Sequence, residues 1–112
     1  MRRLADFDTD VTIQPIPEPL TPLAVGRRGF AGVIGEVSAH APASGGLDAA
    51  ELERRLLEMG FVEGARIEIL HEGFIGADPI CVRIDDMRVA LRRRDARGVM
   101  VRPDPGQSDN IR

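Results

Sequence analysis

The sequence has no tryptophan, no tyrosine, no lysine and a single cysteine. Each absence removes a class of function. Aromatic residues make up 4% of the chain, all of them Phe, which weakens any reading that needs aromatic stacking platforms, such as single-stranded nucleic-acid binding. The lone Cys81 cannot form an internal disulfide, as expected in a reducing compartment. No apolar run approaches the ~20 residues of a membrane span. The start "MRRLADFDTD" carries two arginines but no apolar stretch behind them, so it does not read as a secretory signal. The chain is therefore expected in the cytoplasm, without direct membrane insertion. All 15 basic residues are arginine, which genome composition explains before chemistry does. A net charge of -3 gives no overall pull toward nucleic acid. With His40 and His71 as the only histidines, the sequence supports no Ser-His-Asp or Cys-His arrangement. There is also no phosphate-cradling loop of the P-loop type. The expectation is a binding module that is not an enzyme and carries no cofactor.

At 112 residues the chain is one domain with a modest core. Residues 1–19 alternate Pro15, Pro17 and Pro19 among acidic residues, which favours an extended N-terminal arm over helix. Residues 103–112, with Pro103, Pro105 and Gly106, read as a loose C-terminal tail. The folded domain is then 20–102.

Within it the most informative stretch is "LLEMGFVEGARIEIL", residues 56–70. A helix over about 48–59 is written upstream of it. Asp48 is an N-cap with Glu51 completing a capping box. Ala49, Leu52, Leu56 and Met59 form one apolar stripe, and Glu51 with Arg55 makes a favourable i,i+4 pair. Gly60 stands where a left-handed residue ends a helix, which aims Phe61 back at the core. Gly64 then turns the chain into a strand, and Phe61 and Val62 read as plugs at one mouth of a barrel.

Strands are expected where apolar residues alternate. The first is 29–39, with Val33 and Val37 on one face and Gly32 and Gly35 marking a bend. The others are 65–70 (Ile67, Ile69 inward), 80–84 (Ile80, Val82, Ile84), 88–92 (Val89, Leu91) and 98–102 (Val99, Val101). Asp85–Asp86 reads as a hairpin turn. A mostly-β chain of about five short antiparallel strands with one inserted helix closes most readily as a small barrel.

Three pieces in order resemble the FeoA family, small cytosolic proteins of bacterial ferrous iron uptake. They are "RLLEMGFVEGARIEIL", "GADPICVRI" and "RVALRRRDARGVMV". The matching positions are Arg55, Leu56, Met59, Gly60, Phe61, Gly64, Gly76, Asp78, Pro79, Ile80, Leu91, Arg92, Asp95 and Ala96. The resemblance spans residues 20–102. It implies an SH3-like β-barrel and a non-enzymatic accessory role beside a membrane Fe(II) transporter that carries a cytosolic GTP-binding domain. The departures are Glu63 where the family usually has Pro, Ala77 inserted between Gly76 and Asp78, and a longer loop at 40–47 and N-terminal arm. Two rival readings remain. SH3-like domains of this type also end iron-dependent transcriptional repressors, so a stand-alone copy could regulate a separate repressor. A small nucleic-acid-binding barrel using the 88–97 arginines is the other, opposed by the acidic total.

Partner-contact candidates are Phe74 and Ile75 in "EGFIGADPI", apolar residues at a hairpin tip that either fold over the barrel or dock a partner. Arg92, Arg93 and Arg94 join them. Residues 82–102 hold seven Arg against three Asp, an electropositive stretch suited to an acidic surface if it is more than a solvated face. His71, Cys81 and His40 form no spaced ligand motif, and Asp78, Asp85 and Asp86 read as turn chemistry, so no metal site is expected.

Overall fold

The computed structural model describes residues 19–39 and 44–111. The N-terminal arm up to residue 18, and His40, lie outside them.

The helix forms as its sequence dictates. Helix α1 (Ala49–Glu58) begins at Asp48, whose carboxylate accepts the Glu51 N–H at 2.8 Å. Leu52 and Leu56 are its buried face. At the far end Gly60 takes φ +99, the Gly60 N–H bonds the Leu57 carbonyl, and the Phe61 N–H bonds the Leu56 carbonyl. This paired closure satisfies carbonyls that a helix end otherwise leaves open. It also turns Phe61 inward, where it is fully buried. Gly64 then donates its N–H to the Ile34 carbonyl at 2.8 Å, while the Ile34 N–H bonds the Ala65 carbonyl. The abrupt handover from helix to strand is thus stitched to the neighbouring strand on both sides. Val62 is not a plug: it is 42% exposed, because the turn that drives Phe61 inward points the next side chain out.

Six strands make one antiparallel sheet: β1 (Thr21–Pro22), β2 (Ala31–Val37), β3 (Arg66–Ile75), β4 (Asp78–Ile84), β5 (Met87–Leu91) and β6 (Val99–Pro103). Their spatial order is β1-β6-β2-β3-β4-β5. The sixth strand beyond the sequence expectation is β1, two residues paired with Val101 and Met100. The period-two reading holds on β3, β4 and β6, where Ile67, Ile69, Ile80, Val82, Ile84, Val99 and Val101 are all buried. On β2 the buried side is Gly32 and Ile34, so simple alternation leaves Val33 off it, and the register shift between Ile34 and Glu36 then brings Val37 round to pack on the core. Val89 is only partly buried on β5, at the margin of the sheet. Phe30 and Leu23 join these residues, α1 and Phe61 in one core.

No ladder joins β5 to β1 among the described residues. The two ends of the sheet meet instead through the 3₁₀ turns that follow them, Leu23–Val25 after β1 and Arg93–Ala96 after β5.

The segment after Pro103 is fastened along most of its length. The Asp104 N–H bonds the Ala31 carbonyl, the Gln107 side chain accepts the Ala31 N–H at 3.0 Å, the Arg27 N–H bonds the Asn110 carbonyl, and Ile111 bridges to Gly26. A polar, proline-bearing composition gave no hint of this, since much of the fastening is made by backbone groups.

Arg66 on β3 meets Asp104 beyond β6 with two hydrogen bonds, at 2.7 and 3.0 Å, spanning the intervening β2. That hydrogen bond holds the Asp104 carboxyl below its ordinary value. A depressed carboxyl contributes stability that is complete above its unfolded pKa and is lost as pH falls through the folded one. The pair is open to solvent, so the contribution is small. Asp104→Asn should lower the thermal midpoint slightly at pH 7, and the gap from wild type should close on acidification through that lowered pKa. Gly60→Val should cost more than ~1 kcal/mol, since a β-branched residue resists the left-handed conformation. An unchanged midpoint would overturn the role given to Gly60.

Candidate interaction site

The β3–β4 hairpin ends in a projecting tip. β3 runs ten residues against seven in β4, with a register shift between Glu72 and Ile75. The connecting pair Gly76 and Ala77 takes φ +65 and +58, the geometry that matches strand twist in a two-residue turn. The inserted Ala77 is therefore half of the turn itself. Asp78–Pro79 is a cis peptide bond. Below the turn, Gly73 lets the two strands close up: a Cβ there would lie 2.2 Å from the Asp78 carbonyl oxygen, so no other residue fits.

One side chain fixes the base of this tip. Arg93 donates from Nε to the Ala77 carbonyl, from Nη1 to the Ala24 and Gly26 carbonyls, and from Nη2 to Glu72, each at 2.8 Å. Its own backbone N–H bonds Asp78 Oδ1 at 2.9 Å. The other Glu72 oxygen accepts the Arg28 N–H at 3.3 Å. The Arg93 and Glu72 side chains are only 14% and 24% exposed, so this ion pair is shielded as surface pairs are not. The planar guanidinium, with donors on three nitrogens, suits such a multi-carbonyl seat.

Above the base, Phe74 and Ile75 are 106% and 87% exposed, as open as in an extended peptide. They do not fold over the barrel. With Gly73, Asp78, Pro79 and Arg92 they line a groove of about 510 Å³. The three arginines that read as one run separate: Arg92 and Arg94 are exposed, and Arg93 turns inward. A 3₁₀ turn, at three residues per turn, sends successive side chains in different directions. Asp95 and Ala96 follow in the same turn and are buried.

The remaining candidates fall as follows. His71 and Cys81 are register partners across β3 and β4, the histidine exposed and the thiol half-buried. Asp78 and the Asp85–Asp86 pair lie at opposite ends of β4 and do not converge. Asp85 (φ +49) caps the β4–β5 turn and accepts the Arg66 N–H. Among the described residues no group of three or more His, Cys, Asp or Glu is placed to hold a metal ion. Among the motif residues, Leu56 and Phe61 are core, Gly60 and Gly64 shape the junction, and Met59 packs on the core. The residue that sequence reasoning missed is Glu72, joined to Arg93 across 21 positions that no local pattern connects.

The FeoA domain family model matches residues 19–103. The chain belongs to the FeoA family. A solved FeoA protein from Chlorobium tepidum is 27% identical with a TM-score of 0.60, covering 77% of this chain and 75% of that one. Stenotrophomonas maltophilia FeoA, solved with zinc, is described as a procaryotic SH3 domain protein and a candidate ferrous iron transport activating factor. It is 26% identical at TM-score 0.54, covering 78% of this chain and 93% of that one. A manganese-dependent transcriptional repressor is 23% identical at TM-score 0.62, covering 80% of this chain but 45% of the repressor. That likeness is one of fold. No curated protein matches the sequence. The sheet and its inserted helix are thus the SH3-like fold of FeoA proteins, a family implicated in ferrous iron transport.

Arg93→Ala should cost about 2–4 kcal/mol, because it strands carbonyls and leaves Glu72 without its guanidinium. Arg93→Lys should recover only part of this in chemical denaturation, a point charge being unable to span the seat. Phe74→Ser should change stability by less than ~0.5 kcal/mol, as befits an open surface position.

Proposed function

We propose that this FeoA-family protein is a non-enzymatic accessory factor of ferrous iron uptake, acting in the cytoplasm by protein contact with the membrane Fe(II) transporter. The observation that carries the reading is the pairing of a fixed base with an unsupported apolar tip. Phe74 and Ile75 contribute nothing to the core, yet Gly73 and the Arg93 seat hold their hairpin in one place. A bulky apolar pair presented on a rigid support is the chemistry of an interaction hot spot.

The magnitudes fit a reversible contact. Burying two such side chains yields roughly 3–6 kcal/mol before the cost of association is subtracted. That alone is too little for a permanent complex. Arg92, on the rim of the groove, and Arg94, exposed nearby, supply charge that steers an acidic surface and adds salt dependence. Family membership supports ferrous iron uptake as the setting. The transporter with its GTP-binding domain is the partner that family resemblance implies.

Affinity capture tests this. Purified protein is immobilised and detergent-solubilised membranes of the source organism are passed over it. Retention of the ferrous transporter, weakened by salt and lost with Phe74→Ser at an unchanged thermal midpoint, is the expected result. Retention of a soluble repressor or of nucleic acid, without the transporter, would overturn the proposal.

A further inference from the structure

Among the described residues the sheet has a free edge. β5 is hydrogen-bonded, among the described residues, to β4 alone, through Ile80–Leu91, Cys81–Ala90, Val82–Val89, Arg83–Arg88 and Ile84–Met87. A two-residue hairpin makes Ile84–Met87 a hydrogen-bonded pair, and such pairs alternate along an antiparallel ladder. Met87, Val89 and Leu91 therefore spend their backbone groups on β4, while Arg88 and Ala90 direct theirs away from it. No hydrogen bond within the described residues reaches the N–H or C=O of Arg88 or Ala90, and both residues are exposed. An edge of this kind is a template for another strand.

We infer that the strand it accepts is β5 of a second copy of this chain, paired antiparallel about a two-fold axis with Val89 facing Val89. The side chains select both the occupant and the register. Outward-facing backbone groups must meet outward-facing ones, and three self-pairings give both Arg88 and Ala90 such a partner within residues 86–92. Centring on Arg88 sets Arg88 against Arg88. Centring on Ala90 sets Arg88 against Arg92. Both place like charges directly opposite, which is unfavourable. Centring on Val89 sets Arg88 against Ala90 of the second copy, so the two exchange both backbone bonds beside a small side chain. The same register sets Asp86 opposite Arg92 of the second copy, and by symmetry does so twice. It also lays Met87, 57% exposed in the single chain, against Leu91. A two-fold interface needs such self-complementarity, and β5 with its flanking residues supplies it in one register only. An acidic extended segment of another protein would satisfy the same backbone groups and Arg88. It would leave the Asp86 position facing like charge.

Sedimentation equilibrium on the full chain tests the inference. Wild type is expected to dimerise reversibly. Asp86→Arg, which sets arginine against Arg92, should weaken the dimer at least about tenfold. Adding Arg92→Asp to it should restore dimerisation by reversing both partners of the pair. Ala90→Pro removes an N–H that the monomer leaves open and should abolish the dimer while far-ultraviolet circular dichroism stays unchanged. A wild-type chain that sediments as a monomer throughout overturns the inference. So does a dimer indifferent to Asp86→Arg and Ala90→Pro, which would lie on another surface. Failure here leaves the transporter contact at Phe74 untouched, because capture through the tip is read separately.

Discussion

Arg93 is the side chain on which the arrangement of this protein turns. A small barrel ordinarily closes by pairing its terminal strands, which removes the edges. Here the first strand has two residues and is spent on β6. Closure falls to the turns beyond the strands, and one guanidinium joins them by bonding Ala24 and Gly26 on one side and Glu72 and Ala77 on the other. The same group thus closes the sheet and anchors the hairpin. Its low exposure makes each bond stronger than a surface equivalent and makes every lost bond costly.

The edge that β5 leaves free among the described residues is the counterpart of this solution. A side chain can close a gap at one point without supplying a ladder along its length. The strand beside the closure keeps outward-facing backbone groups, and the charges at its ends govern what can lie against it.

What was legible in the sequence follows the length scale of each feature. The Asp48 cap, the Leu52–Leu56 stripe and the Gly60 stop all act within a few residues, so helix and junction could be read directly. Ile67, Ile69, Ile80 and Val82 alternate over enough positions to declare their strands. β1 is too short to show any period, and the bulge in β2 changes the phase after Ile34, so Val37 shares a side with Ile34 and not with Val33. The run Arg92–Arg94 reads as one patch because a sequence does not show which way a 3₁₀ turn sends each side chain. The return of residues 104–111 onto Ala31 and Gly26 is written in backbone bonds, which composition does not encode. At the candidate site the tip residues were visible as misplaced apolar groups. The Glu72–Arg93 seat beneath them was not, since it exists only once the fold has brought distant segments together.

Gly73 has a consequence for how such a protein can change over generations. Because the close strand approach and the seat beneath it fix the hairpin without any help from Phe74 or Ile75, the tip is released from selection for stability. Substitutions there alter what the surface fits while the scaffold stays intact. The tip can change one residue at a time, with each intermediate still folded.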